Sequence, residues 1–86
     1  MAIVCVHGPL RKLAGGCAEH PLEGESVAAL IQALERRYPA LAGWVLDERG
    51  LIRRHINVYV NGELGRENTP VQERDRIEVL PAISGG

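Results

Sequence analysis

Apolar residues recur along this chain with two different periods, and each period marks an element. Ala2, Val4 and Val6 alternate with Ile3, Cys5 and His7, which predicts a first strand over 2–7 with the purely apolar set turned to the core. Gly8-Pro9 breaks that strand, Gly15-Gly16 marks a loop or hairpin connection, and 17–22 returns as a weaker second strand. The period then changes. Val27, Leu30, Ile31, Leu34 and Tyr38 fall at i, i+3, i+4, i+7 and i+11 with Gln32, Glu35 and Arg36 opposite, the pattern of one amphipathic helix. Ser26 is placed to cap it with its hydroxyl, and Pro39 pushes Tyr38 out of the α region and ends it. Residues 40–46 predict a second short helical turn that buries Leu41 and either Trp44 or Val45, with Trp44 read as a core plug.

A turn at Asp47-Glu48-Arg49-Gly50 leads to a long strand over 51–60, in which Ile56, Val58 and Val60 alternate with His55, Asn57 and Tyr59 and His55 is solvated. Asn61-Gly62 is the dipeptide of a type I′ hairpin, which needs positive φ at both positions, so Glu63-Leu64 should fold back as a brief strand. The charged turn Gln72-Glu73-Arg74-Asp75 launches a terminal strand carrying Ile77 and Val79, expected to stop at Leu80 because Pro81 has no N–H for a ladder. One helix and four to five strands make a two-layer α+β domain, the helix covering one face of one sheet.

Composition narrows the function more than the fold. The chain has 86 residues and a formal net charge of -1, with both signs interleaved, so no basic field is present for a phosphate backbone. It lacks Phe, and Tyr38, Trp44 and Tyr59 are too dispersed for a base-stacking platform, which argues against nucleic acid. No apolar run reaches the roughly 20 residues of a membrane span and no signal-peptide pattern opens the chain, so a cytoplasmic location without a membrane partner is expected. Cys5, His7, Cys17 and His20 form the one conceivable metal set. A Cys-x-His pair on a strand is not the paired-knuckle spacing of structural zinc, and two reduced cysteines with incidental histidines are the simpler reading. No metal site is assigned. No Ser/His/Asp set, paired-carboxylate cleft or Gly-rich phosphate loop is present, so the chain does not read as a self-contained catalyst.

The distinctive chemistry lies at the end. After Leu80 come Pro81, Ala82, Ile83, Ser84, Gly85 and Gly86, too short and polar a stretch to pack as another element. Two terminal glycines place no side chain beside the last carboxylate, so it can be threaded into a narrow site on another protein. Apolar Ile83 in such a tail suits a partner groove better than solvent. The division expected is a folded domain over 1–80 and a flexible diglycine tail over 81–86. A frayed end is the plain alternative, and a carboxylate by itself is inert until something activates it.

Ile56-Asn57-Val58-Tyr59-Val60-Asn61-Gly62, followed by Asp75-Arg76-Ile77-Glu78-Val79-Leu80-Pro81 and the Gly85-Gly86 ending, resembles the ubiquitin-like sulfur carriers of the MoaD/ThiS kind, the cysteine-pathway type first. The resemblance implies a β-grasp fold with the first and last strands parallel at the sheet centre. It implies no bound cofactor. ATP is consumed by an E1-like adenylating enzyme that activates the Gly86 carboxylate, which becomes a thiocarboxylate. That sulfur goes to a biosynthetic enzyme, such as a cysteine synthase, a thiazole synthase or the molybdopterin synthase large subunit, and a JAMM-type metalloprotease is a further implied partner. Gly86 carries over as the reacting position, Gly85 as its neighbour, and Pro81, Ala82, Ile83 and Ser84 as docking positions. Alternatives are a ubiquitin-like modifier conjugated to lysines, the small subunit of molybdopterin synthase, and an interaction domain with an accidental diglycine. Lys12 is the sole lysine, which leaves little choice of linkage for a polymer built on the chain itself.

Overall fold

The computed structural model describes residues 1–81. Its elements run β1 (Ala2–Val6), α1 (Leu10–Leu13), β2 (Glu19–Leu22), α2 (Val27–Arg37), a 3₁₀ turn (Pro39–Leu41), β3 (Ile56–Val60), β4 (Glu63–Leu64) and β5 (Arg76–Pro81). The strands form one mixed sheet in the order β2-β1-β5-β3-β4. β1 and β5 are parallel, with Val4 opposite Ile77 and Val6 opposite Val79, while the other neighbours are antiparallel. This is the β-grasp arrangement, with the first and last strands side by side at its centre.

The alternation in β1 sorts as its pattern predicts. Ala2, Val4 and Val6 are buried in one cluster with Ile77, Val79, Val58 and the helix residues Val27, Leu30, Ile31 and Leu34. Helix α2 begins where Ser26 accepts a hydrogen bond from Ala29 N–H at 3.2 Å. The next orphan donors, Val27 N–H and Ala28 N–H, go to the carbonyls of Thr69 and Glu67 at 3.1 and 2.9 Å, so the 67–71 loop completes the cap.

The structure revises the sequence reading in four places. The β1–β2 connection contains α1, whose four residues are too few for a periodic signal and which buries Leu10. Trp44 is not a core plug: it is 51% exposed, because Leu41 and Val45 fill the space beneath the sheet and Gly43, at φ +86°, swings the chain outward. The long strand over 51–60 begins only at Ile56. Asp47 Oδ1 accepts from the N–H groups of Arg49 and Leu51, and this turn folds the chain back so that Leu46 bridges Ile52 and Arg53 N–H donates to Val45 C=O. Finally, β5 runs to Pro81, which pairs with Ile56; a proline is tolerated as the last residue of a strand, where the missing N–H ends the ladder instead of interrupting it.

The start of β5 is fixed by a polar clamp. Asn61 and Gly62 both take positive φ, +52° and +86°, as a type I′ turn requires. Asn61 donates from Nδ2 to Asp75 Oδ1 at 2.9 Å and accepts Arg76 N–H on Oδ1 at 2.9 Å, and Gln72 N–H donates to Asp75 Oδ2 at 2.8 Å. One amide and one carboxylate thus lock the hairpin turn to the turn that launches β5, setting the register that carries Pro81 to its place.

Two stability predictions come from this architecture. Leu34 is 1% exposed beneath the sheet, and Leu34→Ala should cost about 2–5 kcal/mol in denaturant unfolding; a variant as stable as the parent would show that the helix stripe does not seal the core. The Gln72 N–H, then the Asn61 amide, hold the Asp75 carboxyl below its ordinary value of 3.8. The folded state therefore favours the charged form, and that stabilisation is complete above the unfolded value and fades as pH falls through the depressed folded value. Asp75→Ala should lower the melting temperature at neutral pH, with the gap to the parent closing in strong acid. A gap independent of pH would remove the clamp's charge from the account.

Candidate functional site

The last described residue of β5, Pro81, sits at the edge of the body, held from two sides. On one side Ile56 of β3 is its ladder partner. On the other, the chain leaving β1 turns close: His7 N–H donates to Val79 C=O at 3.1 Å, and Gly8 adopts φ +63° with its α-carbon against the proline ring. A β-carbon built on Gly8 would stand 3.2 Å from Pro81 Cγ in a left-handed backbone, so both the conformation and the approach call for glycine. Pro81 has a restricted φ of its own. Pro81 is thus a fixed point at the end of the described residues. Of the sequence-predicted site residues, Pro81 is placed here; Ala82, Ile83, Ser84, Gly85 and Gly86 lie outside the described residues.

The open face of the sheet beside that point is ionic. Arg76 of β5 donates to Glu19 of β2 at 3.0 Å, and His7 Nε2 lies 3.4 Å from Glu78 Oε1, within ion-pair range for a charged ring but not aligned as a hydrogen bond. Cys5 lies between these pairs, 1% exposed, and burial pushes its thiol up despite the opposing pull of Arg76. A buried, protonated thiol is a poor nucleophile. The histidines and cysteines do not converge. Cys5 pairs with Glu19 while Val4 pairs with His20, which puts Cys5 and His20 on opposite sheet faces. His20 turns inward, donates from Nε2 to Cys17 C=O at 2.9 Å and meets the Tyr38 ring edge-on at 5.3 Å. Among the described residues no group of three or more His, Cys, Asp or Glu side chains is placed to hold a metal ion. His55 is exposed, as its place in the sequence pattern suggested.

Sequence reasoning missed Gly8 and the clamp as parts of this site. Gly8 looked like a strand breaker and nothing more. Asn61 and Asp75 stood in view inside the quoted motif, but only the fold shows that they touch each other.

A small ubiquitin-like body with its last strand, β5, at the sheet centre is the form of a carrier protein. Residues 4–86 match the ThiS family, and the chain belongs to that family of ubiquitin-like sulfur carrier proteins. It is 31% identical over 83 residues to the sulfur carrier protein CysO of Mycobacterium tuberculosis, with 90% of this chain and 89% of that protein covered. Among solved structures it superposes with a TM-score of 0.90 on a chain of the BexX/CysO complex of Amycolatopsis orientalis, at 30% identity over the full length of both. It superposes with a TM-score of 0.84 on small archaeal modifier protein 1 of Methanosarcina acetivorans, at 32% identity, covering 99% of this chain and 95% of that one. Among the described residues no helix is long and apolar enough to cross a membrane.

Proposed function

We propose that the Gly86 carboxylate is the reacting group of this carrier and that Pro81, Ala82, Ile83, Ser84 and Gly85 are the segment its partners grip. The observation that supports this most directly is the fixing of Pro81 between Ile56 and Gly8 at the end of the central strand, with two glycines closing the sequence five residues on. In this reading residues 1–80 are the body and 81–86 the presenting tail, with Pro81 anchoring the tail to β5.

The chemistry requires activation. A carboxylate oxygen of Gly86 attacks the α-phosphorus of ATP on an E1-like enzyme and pyrophosphate leaves. A sulfide-level donor then attacks the acyl carbon, AMP leaves, and the terminus is a thiocarboxylate. Sulfur is the better nucleophile, so a sulfur-accepting biosynthetic enzyme can use it where a carboxylate would be inert. The sulfur acceptor is an enzyme of cysteine, thiazole, molybdopterin or thiosugar formation; likeness to proteins named sulfur carriers supports the carrier role common to all four. Transfer of the same activated carboxyl to lysines of other proteins is the second reading, and likeness to an archaeal protein named a modifier supports it.

Removing Gly86 would withdraw the terminus by up to about 3.3–3.6 Å, and a misplacement of about 1 Å can cost about 10²-fold in a preorganised site. The Gly86 deletion and Gly85→Val should therefore abolish ATP-dependent adenylation by the cognate activating enzyme while melting with the parent. Full activation of the deletion variant would defeat the proposal. Intact mass of protein from its native cells separates the two readings, sulfur-for-oxygen exchange at the terminus marking the carrier and adducts with other proteins marking the modifier.

Cys5→Ser and Cys17→Ser should leave sulfur transfer intact when the variants are folded, because the sulfur resides on the terminal carbonyl. Loss of transfer in a folded double variant would move it to a cysteine.

A further inference from the structure

Away from the tail, cationic and exposed apolar side chains gather on one flank of the body. Arg53, Arg54 and Arg66 line a cleft of about 360 Å³ beside Ile52 and Leu64, and among the described residues no carboxylate lines it. A second, shallower cleft of about 270 Å³ shares Arg53 and adds Gly43, Trp44 and His55. Arg53 joins the two, its Nε donating to Gly43 C=O at 2.6 Å. Trp44 and Leu64 are 51% and 67% exposed, a large apolar area to leave in water on so small a body. Arg54 makes no ion pair among the described residues, and Arg66 only reaches Glu67 at 3.7 Å from an exposed position.

This flank adjoins the origin of the tail. Ile56 lines the first cleft and is also the ladder partner of Pro81. A protein that takes hold of the segment after Pro81 therefore covers ground within one strand of the arginines. Guanidinium forks pair with carboxylates in matched planar geometry, and tryptophan with arginine is the composition of binding hot spots. The extent of the positive strip argues for a short acidic partner and against a long polyphosphate. On the other side of Arg53 lies a cleft lined by Glu35, Asp47 and Glu48, onto which an extended phosphate backbone would run.

We infer that the surface formed by Trp44, Arg54, Leu64 and Arg66 docks an acidic segment of the activating enzyme, one whose carboxylates meet the arginines and whose apolar side chains cover Trp44 and Leu64. This rests on the carrier reading above and adds to it the chemistry of the partner's surface. The arginines steer the encounter and hold the body in place while the tail enters, so their loss weakens association without touching the reacting end.

Trp44 is the sole tryptophan, so its emission reports directly on this surface. Titration with a short synthetic peptide alternating glutamate and leucine should shift Trp44 emission saturably to shorter wavelength, and the response should fade with added salt. Arg54→Glu with Arg66→Glu, both exposed and free of core contacts, should weaken that response about tenfold or more. With the activating enzyme the same double variant should raise KM by a similar factor and leave kcat unchanged. An equal response to a lysine-for-glutamate peptide, to sulfate or to single-stranded DNA would overturn the inference. So would a shift with protein concentration alone, which would assign the surface to a second copy. Adenylation of the double variant at unchanged KM overturns the docking surface and leaves the carrier standing. A peptide response without adenylation of the parent defeats the carrier reading and leaves an acidic-segment surface.

Discussion

The structure depends above all on the parallel pairing of β1 with β5. It joins the first and last strands at the sheet centre, so the chain cannot complete its core until nearly all of it is in place. Val4 against Ile77 and Val6 against Val79 put the apolar faces of both strands on α2, while Ile3 N–H reaches back to Asp75 C=O at 2.9 Å. A pair this distant in sequence pays a loop-closure cost that local contacts must offset. The clamp of Asn61, Asp75, Gln72 and Arg76 does this. It presets the β3–β5 hairpin so that β5 arrives with its register already chosen.

That register has a chemical consequence. A slip of one residue would turn Ile77 and Val79 to solvent and move Pro81 off Ile56 and Gly8. The same hydrogen bonds that order the core thus set the position of Pro81. The rest of the body is chemically quiet in a way that suits a carrier: Cys5 is buried with a raised thiol, His20 is occupied by Cys17 C=O and the Tyr38 ring, and Arg76 is bound to Glu19.

Most of the architecture was legible in the residues, for physical reasons that differ by element. Helix α2 announced itself because its stripe spans three turns and both its ends carry stop signals, and the Asn61-Gly62 turn because few dipeptides accept two positive φ values. Helix α1 was hidden, since four residues complete barely one turn. Trp44 misled because bulk predicts burial only where the backbone points inward, and Gly43 decides otherwise. Residues 51–55 alternate well enough for a strand, yet Asp47 takes the Leu51 N–H and Val45 C=O the Arg53 N–H, which folds this stretch back on the preceding turn. The base of the candidate site was not legible, because the contact of Gly8 with Pro81 joins residues far apart in the sequence, whereas the Gly85-Gly86 reading rests on the sequence alone and lies outside the described residues.

The distance between base and terminus limits how a partner can work. Five residues separate Pro81 from the carboxyl of Gly86, and an extended chain gains at most about 3.3–3.6 Å per residue, so the terminus reaches no further than about 17–18 Å from the sheet edge. If Gly86 reacts as proposed, an enzyme that buries its carboxyl must bring its own surface against the body, around Ile56, Gly8 and their neighbours. The last two glycines offer no side chains by which to distinguish one carrier from another, so recognition falls to residues 81–84 and to the body within that short radius. There the exposed face changes from the paired charges of β1 and β5 to an exposed tryptophan and an arginine, Arg54, that has no ion pair among the described residues beside β3.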